Sequence, residues 1–104
     1  MVNWSKLVKQ IPYKIQIGNK LFYEVVWVDR FDDPLQVGEM DSKLKQIRIK
    51  IDQSNKDMVL TYLHEVLHAF SDEHKIGLTE KQVSLLEKKM MYYWLKPVNL
   101  FSRE

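Results

Sequence analysis

The apolar residues of this 104-residue chain change their spacing at Asp52, and that change constrains the fold more than any other feature. Before Asp52, apolar side chains alternate with polar ones, as in KQIRIKI (45–51), which is the period of a half-buried β-strand. After it, they recur every three or four residues, the period of an amphipathic helix. This order predicts an α+β fold, a small antiparallel-rich β-sheet followed by two helices.

The strand-forming half covers about residues 11–51. Turn residues at Gly18-Asn19, in DRFDDP (29–34) and at Asp41-Ser42 divide it into short segments. Each segment is rich in the β-branched and aromatic residues that strands favour. The predicted strands are YKIQI (13–17), LFYEVVWV (21–28), a short strand around 35–40, and KQIRIKI (45–51).

The first predicted helix covers about residues 55–74, with Ser54 or Asn55 as its N-cap. On a helical wheel one arc is apolar, and Gly77 can break the helix after its end. We therefore expect this arc to face the sheet. Its members are Val59, Leu63, Val66, Leu67 and Phe70.

The second predicted helix covers about residues 80–95. Thr79 and Gln82 have the spacing of a capping box, in which each side chain bonds to the backbone N–H of the other residue. Pro97 ends the helix, because proline lacks the N–H that a helix interior requires. Residues 1–104 are expected to form a single domain, a usual size for one hydrophobic core.

Composition excludes several classes of function. The chain has no cysteine, which excludes disulfides, cysteine-based zinc ribbons and cysteine nucleophiles. Its net charge of +2 is too small to indicate nucleic-acid binding without a clustered basic patch, so no nucleic-acid partner is expected. No stretch resembles a signal peptide or a membrane span, so we expect a cytoplasmic protein without a membrane partner.

The first helix contains the motif H-E-x-x-H, as His64-Glu65-Val66-Leu67-His68. Residues four apart lie on the same face of a helix, so His64 and His68 can both direct a ring nitrogen at one Zn²⁺. Glu65 projects from a neighbouring line, where it can reach a water on the metal without binding the metal itself. The motif therefore predicts two zinc ligands and, in Glu65, a catalytic general base.

Three residues are candidates for the third zinc ligand. Glu80 and Glu87 lie seven residues apart on the second helix, at one edge of its apolar arc. An antiparallel pair of helices would place Glu87 level with His68, whereas a crossed pair would favour Glu80. His74 follows His68 by six residues, as in the metzincin spacing, but Ser71 occupies the glycine position of that pattern.

The segment HEVLHAFSDEHKIGLTEKQVSLLE (64–87) resembles short phage-encoded and mobile-element zincin-like proteins, which are similar to the metallopeptidase domain of the ImmA/IrrE family. The resemblance covers about residues 37–95. That family follows H-E-x-x-H with a helix that opens E-x-x-A-N, and the matching residues here are 80–84, with Val83 and Ser84 in place of Ala and Asn. The resemblance implies a minimal zincin fold with Glu80 as the third ligand.

The resemblance also implies a function: hydrolysis of a peptide bond in a protein or peptide substrate, such as a regulatory protein of the bacterial host or of the element. An edge strand, either 37–40 or 46–51, would hold the extended substrate by strand addition. The small size of the chain leaves a second hypothesis open, a catalytically silent zincin-fold binding module with structural zinc. A third hypothesis is nucleic-acid binding through Lys81, Lys88 and Lys89.

Overall fold

A computed structural model describes residues 2–93 and has an α+β fold in which three helices accompany one sheet of four strands. The elements, in chain order, are α1 (Trp4–Lys9), β1 (Lys14–Gly18), β2 (Leu21–Val28), β3 (Gly38–Asp41), β4 (Gln46–Lys50), α2 (Asn55–Glu73) and α3 (Glu80–Tyr93).

The sheet has the strand order β1-β2-β4-β3. Two pairings are antiparallel, β1 with β2 and β3 with β4, while β2 and β4 pair in parallel at the centre. The sheet is therefore mixed, with the predicted majority of antiparallel pairs. β4 lies inside the sheet and β3 lies at its edge, so of the two predicted edge strands 37–40 is confirmed and 46–51 is wrong.

One face of the sheet packs against α2. Alternate residues of the strands are buried, including Ile15 in β1, Tyr23 in β2 and Ile47 in β4. Most of the predicted arc of α2 is in or beside this core, but Phe70 is 44% exposed and its ring lies against that of His74 instead. Ala69, its neighbour, is buried in its place, so the core-facing line of α2 passes beside Phe70 at this point. The buried apolar residues of α2 are Val59, Tyr62, Leu63, Val66 and Ala69.

The short helix α1 has no counterpart among the elements expected from the sequence. Asn3 caps it by accepting a hydrogen bond from the backbone N–H of Lys6 at 3.1 Å. Trp4, Leu7 and Val8 then pack against the core as partly buried side chains. Apolar residues three and four positions apart after an asparagine are a helix signal. A helix of only six residues contains too few of them to be predicted from the sequence.

The connection from α2 to α3 follows the predicted chemistry closely. The Oγ of Ser71, a buried residue, accepts a hydrogen bond from the backbone N–H of Leu78 at 2.8 Å and so holds the turn against α2. The capping box is confirmed: Thr79 N–H donates to Gln82 Oε1 at 2.9 Å, and Gln82 N–H donates to Thr79 Oγ1 at 3.1 Å. α3 therefore begins at Glu80. Its predicted end near residue 95 and the stop at Pro97 lie outside the described residues.

Within residues 2–93, no helix is both long enough and apolar enough to span a membrane.

Candidate metal centre

The two histidines of the motif lie one turn apart on α2 and face each other. Their Nε2 atoms are 3.2 Å apart, and their rings meet edge to face with centroids 4.8 Å apart. Two Zn–N bonds of about 2.0–2.1 Å at a tetrahedral angle would separate the nitrogens by about 3.3 Å. The Nε2 atoms of His64 and His68 therefore already have the spacing of two ligands on one zinc ion.

Glu80, the first residue of α3, brings a carboxylate to the same two nitrogens. Its Oε2 lies 2.9 Å from His68 Nε2, and its Oε1 contacts His64 Nε2. The ligand atoms of His64, His68 and Glu80 all lie within 4.8 Å of one another, and the Glu80 side chain is 70% exposed. Two imidazoles and a carboxylate form a ligand set known from zinc peptidases, so these residues fit the ion.

Glu87, two turns further along α3, approaches the other ring nitrogen of His64. Its Oε1 lies 2.6 Å from His64 Nδ1, and its side chain is only 12% exposed. This contact fixes the orientation of the ring and keeps Nε2 directed at Glu80 and His68. Glu87 is therefore placed as the partner of a candidate ligand histidine rather than in the group of candidate ligands itself.

The carboxylate of Glu87 also changes the proton affinity of His64. Its hydrogen bond to Nδ1 raises the pKa of His64 to about 9, against a smaller opposing effect of burial. In the metal-free protein His64 is therefore cationic at neutral pH. Zinc binding then requires His64 Nε2 to lose a proton, because a metal ligand nitrogen must be unprotonated.

His74, the remaining candidate, lies away from this cluster. Its Nε2 donates a hydrogen bond to the backbone carbonyl of Ile17 at 2.7 Å, which ties the C-terminal end of α2 to the end of β1. This contact uses the ring in a structural role. Among the described residues, the only group of three or more potential metal ligands is His64, His68 and Glu80.

Glu65 lies between α2 and the edge strand β3. Burial, together with the nearby carboxylates of Glu80 and Glu87, raises its pKa to about 7, although His64 acts in the opposite direction. A carboxylate with a pKa near 7 is a far stronger base than an exposed glutamate, yet it still loses its proton at physiological pH.

Gly38 of β3 makes room for Glu65. A Cβ atom built on Gly38 would lie 2.5 Å from Thr61 Cγ2 and 3.0 Å from Glu65 Oε2, closer than side chains tolerate. Only glycine therefore lets α2 approach β3 so closely and bring Glu65 to the sheet edge. The sequence analysis did not single out Gly38, although an isolated glycine in a strand signals the close approach of another segment.

The structure brings together the four site residues that the sequence singled out. His64, His68 and Glu80 form the cluster, and Glu65 lies beside it. Glu87 joins through the far nitrogen of His64. The lysines considered for nucleic-acid binding lie on α3, where Lys81 and Lys88 are exposed.

The chain was compared with protein-family models, with curated proteins and with solved structures, and no match was found.

Proposed function

We propose that this protein is a zinc-dependent metallopeptidase, with His64, His68 and Glu80 as the zinc ligands and Glu65 as the general base. The observation that carries the proposal is the convergence of three ligand atoms beside a half-buried carboxylate whose pKa is about 7. Three protein ligands leave a fourth position for water, as catalytic zinc sites require.

The zinc ion, when bound, supplies a Lewis acid that polarises a carbonyl group and lowers the pKa of water to about 7. Glu65 accepts a proton from the water that attacks the substrate carbonyl and passes it to the nitrogen of the scissile bond. The C–N bond breaks, the oxygen and the second proton of the water stay on the new carboxyl group, and the proton carried by Glu65 leaves on the new amine. Glu65 is thus regenerated as a carboxylate.

The other residues of the site bind and orient. Glu87 holds the His64 ring through Nδ1, so that Nε2 stays directed at the centre of the cluster. β3 is the edge strand nearest to Glu65, and a peptide lying along it would present its backbone carbonyl between the histidines and the base. A regulatory protein as the target, in a host or a mobile element, rests on the sequence resemblance alone.

The second hypothesis, a catalytically silent binding module with structural zinc, requires a closed set of four protein ligands. The two remaining candidates have other partners: Glu87 contacts the far nitrogen of His64, and His74 bonds to the carbonyl of Ile17. The three-ligand group therefore favours the catalytic hypothesis.

Glu65→Gln tests the proposal. We expect the purified wild-type protein to contain about one zinc ion per chain by elemental analysis, and to cleave members of a random peptide library. Glu65→Gln should retain the zinc and lose a factor of about 10²–10⁴ in kcat, because only the base is removed. Glu24→Gln, which neutralises an exposed carboxylate on β2, is the control and should cleave normally. Equal cleavage by Glu65→Gln, or zinc-loaded protein that cleaves nothing, would overturn the proposal.

A further inference from the structure

The edge strand β3 directs the hydrogen-bonding groups of two residues away from the sheet. The carbonyl of Val37 accepts a hydrogen bond from Lys50 N–H of the β4 segment at 2.9 Å. In an antiparallel ladder alternate residues face the partner strand, so the N–H and C=O groups of Gly38 and Met40 point the other way. The side-chain amide of Gln36 donates to the Gly38 carbonyl at 3.1 Å, in the position that a peptide N–H would take.

These two residues open onto two separate pockets, one on each side of the histidine pair. The Gly38 pocket has a volume of about 350 Å³ and is lined by Gly38, Thr61 and His64, among others. The Met40 pocket, of about 390 Å³, is lined by Met40, His68 and Leu78, among others. Gly38 and Met40 are two residues apart and face the same side of the sheet, as would two alternate side chains of a peptide paired with β3.

The two pockets differ in charge. The Gly38 pocket is lined by the carboxylates of Asp57, Glu65 and Glu87. The one basic residue among its described lining residues is His64, whose ring is bonded to Glu87. Glu65 and Glu87 already serve the metal centre, which leaves Asp57 free to act on a ligand. In the Met40 pocket a single carboxylate is balanced by a single lysine. The apolar side chains of Met40 and Leu78 also line it, together with His68, Ser71 and Gly77.

We propose that the site selects an extended peptide by two side chains at alternate positions, a Lys or Arg in the Gly38 pocket and an apolar side chain in the Met40 pocket. This inference rests on the proposed function, because it takes β3 as the strand that holds the substrate. Asp57 is the specificity-determining residue: its carboxylate attracts a basic side chain and repels an acidic one. The direction of the peptide fixes which of the two side chains comes first.

Binding can be measured without cleavage in the zinc-loaded Glu65→Gln protein. The probes are two sets of labelled peptides that carry a leucine and, two residues before or after it, either a lysine or a glutamate. We expect the better lysine peptide to bind about tenfold more tightly than its glutamate counterpart by fluorescence anisotropy. Added Asp57→Lys should abolish or reverse that preference. Asp57→Asn, which keeps the size of the side chain, should weaken it.

Asp52→Lys is the matched control, because Asp52 is exposed and does not belong to either described pocket lining. It makes the same change of charge five residues before Asp57 and should leave the preference for lysine intact. Equal binding of lysine and glutamate peptides, or an unchanged preference in Asp57→Lys, would overturn the inference.

The binding assay keeps this inference separate from the proposed function. Wild-type protein that cleaves the library while Asp57→Lys keeps the original charge preference would refute this inference and leave the proposed function standing. Zinc-loaded protein that prefers lysine peptides but cleaves none would support the pocket assignment and refute the peptidase. In the wild type, mass spectrometry of the cleaved library reads the same preference and gives the order of the two positions.

Discussion

Two glutamates on the same helix, Glu65 and Glu73, show how neighbours determine what a carboxylate does. They are eight residues apart, which is about 12 Å along α2. Glu65 is half-buried near two other carboxylates, and its pKa rises to about 7. Glu73 accepts hydrogen bonds from Lys45 Nζ and from Tyr23 Oη, each at 2.5 Å, and these partners lower its pKa below the usual range.

The difference separates a reactive group from a structural one. Glu73 joins the C-terminal end of α2 to the sheet, and its charge is already neutralised by a lysine, so it has little tendency to take up a proton. Glu65 has a single cationic neighbour, His64, which is itself bonded to Glu87. A carboxylate in a pocket with more negative than positive neighbours is poised to bind protons. The same residue type therefore has a raised pKa at one position and is a charged ion-pair partner with a lowered pKa at the other.

After Glu65→Gln, the variant Glu87→Gln should have the largest effect, which is a loss of zinc affinity. The amide is a weaker hydrogen-bond partner for His64 Nδ1 and no longer fixes the ring in the same way. Zinc affinity should fall by about 10- to 100-fold in a competition titration with a chromogenic chelator. Glu73, Lys45 and Tyr23 form a second cluster, at the C-terminal end of α2. Glu73→Gln in this cluster should bind zinc as the wild type does. An equal loss of zinc affinity in both variants would contradict the separation of this cluster from the metal centre.

Glu73→Ala should act on stability alone. It leaves the fully buried hydroxyl group of Tyr23 without its acceptor, which should lower the free energy of unfolding by about 1–2 kcal/mol. Urea denaturation of the zinc-loaded protein measures the change. Tyr23→Phe removes the hydroxyl group that donates this hydrogen bond. In that variant Glu73→Ala should lower the free energy of unfolding by less than it does in the wild type. Purely additive effects would show that the two residues do not interact.

Glu73 and His64 should also affect the pH dependence of stability in the metal-free protein, Glu73 on its acidic limb and His64 on its alkaline limb. Glu73 has a lowered pKa in the folded state, so its contribution is present above the unfolded value near 4.5 and is lost on acidification. His64 has a pKa raised from 6.5 to about 9, so its contribution is full below pH 6.5 and is lost as the pH rises towards 9.

Thermal unfolding with a chelator present, from pH 3 to pH 10, separates these limbs. Glu73→Gln should flatten the acidic limb and leave the alkaline limb in place, whereas Glu87→Gln should flatten the loss of stability between pH 6.5 and 9. If both variants changed the same limb, the assignment of the limbs to the two clusters would be wrong.

The smallest expected effect is that of Thr79→Ala, which removes the cap that starts α3 just before Glu80. Loss of an N-cap costs about 1 kcal/mol, measured as a lower urea midpoint. Because the cap also positions the first turn of α3, zinc affinity should fall slightly, by less than in Glu87→Gln. Thr79→Ser keeps the hydroxyl group and should restore both properties. An unchanged urea midpoint in Thr79→Ala would show that the cap does not contribute to stability.

Local chemistry explains what could be predicted along the chain. The aromatic and β-branched content of LFYEVVWV predicts a strand, and β2 has the same bounds, Leu21–Val28. The capping signals predict helices that begin near 55 and 80, as α2 and α3 do. The pair of histidines one turn apart needs only helical geometry. These features depend on residues within a few positions of one another, so the sequence alone carries them.

The remaining features depend on contacts between distant segments. The sequence left Glu80, Glu87 and His74 as candidates, and only the packing of α3 against α2 places Glu80 on the ring nitrogens that face each other and Glu87 on the far side of His64. The parallel pairing of β2 with β4 puts β3 at the edge, and the missing side chain of Gly38 admits Glu65 there. The sequence determined which groups could bind a metal and act as a base, whereas the tertiary structure decided their partners, because burial and charge at each group come from residues far away in the chain.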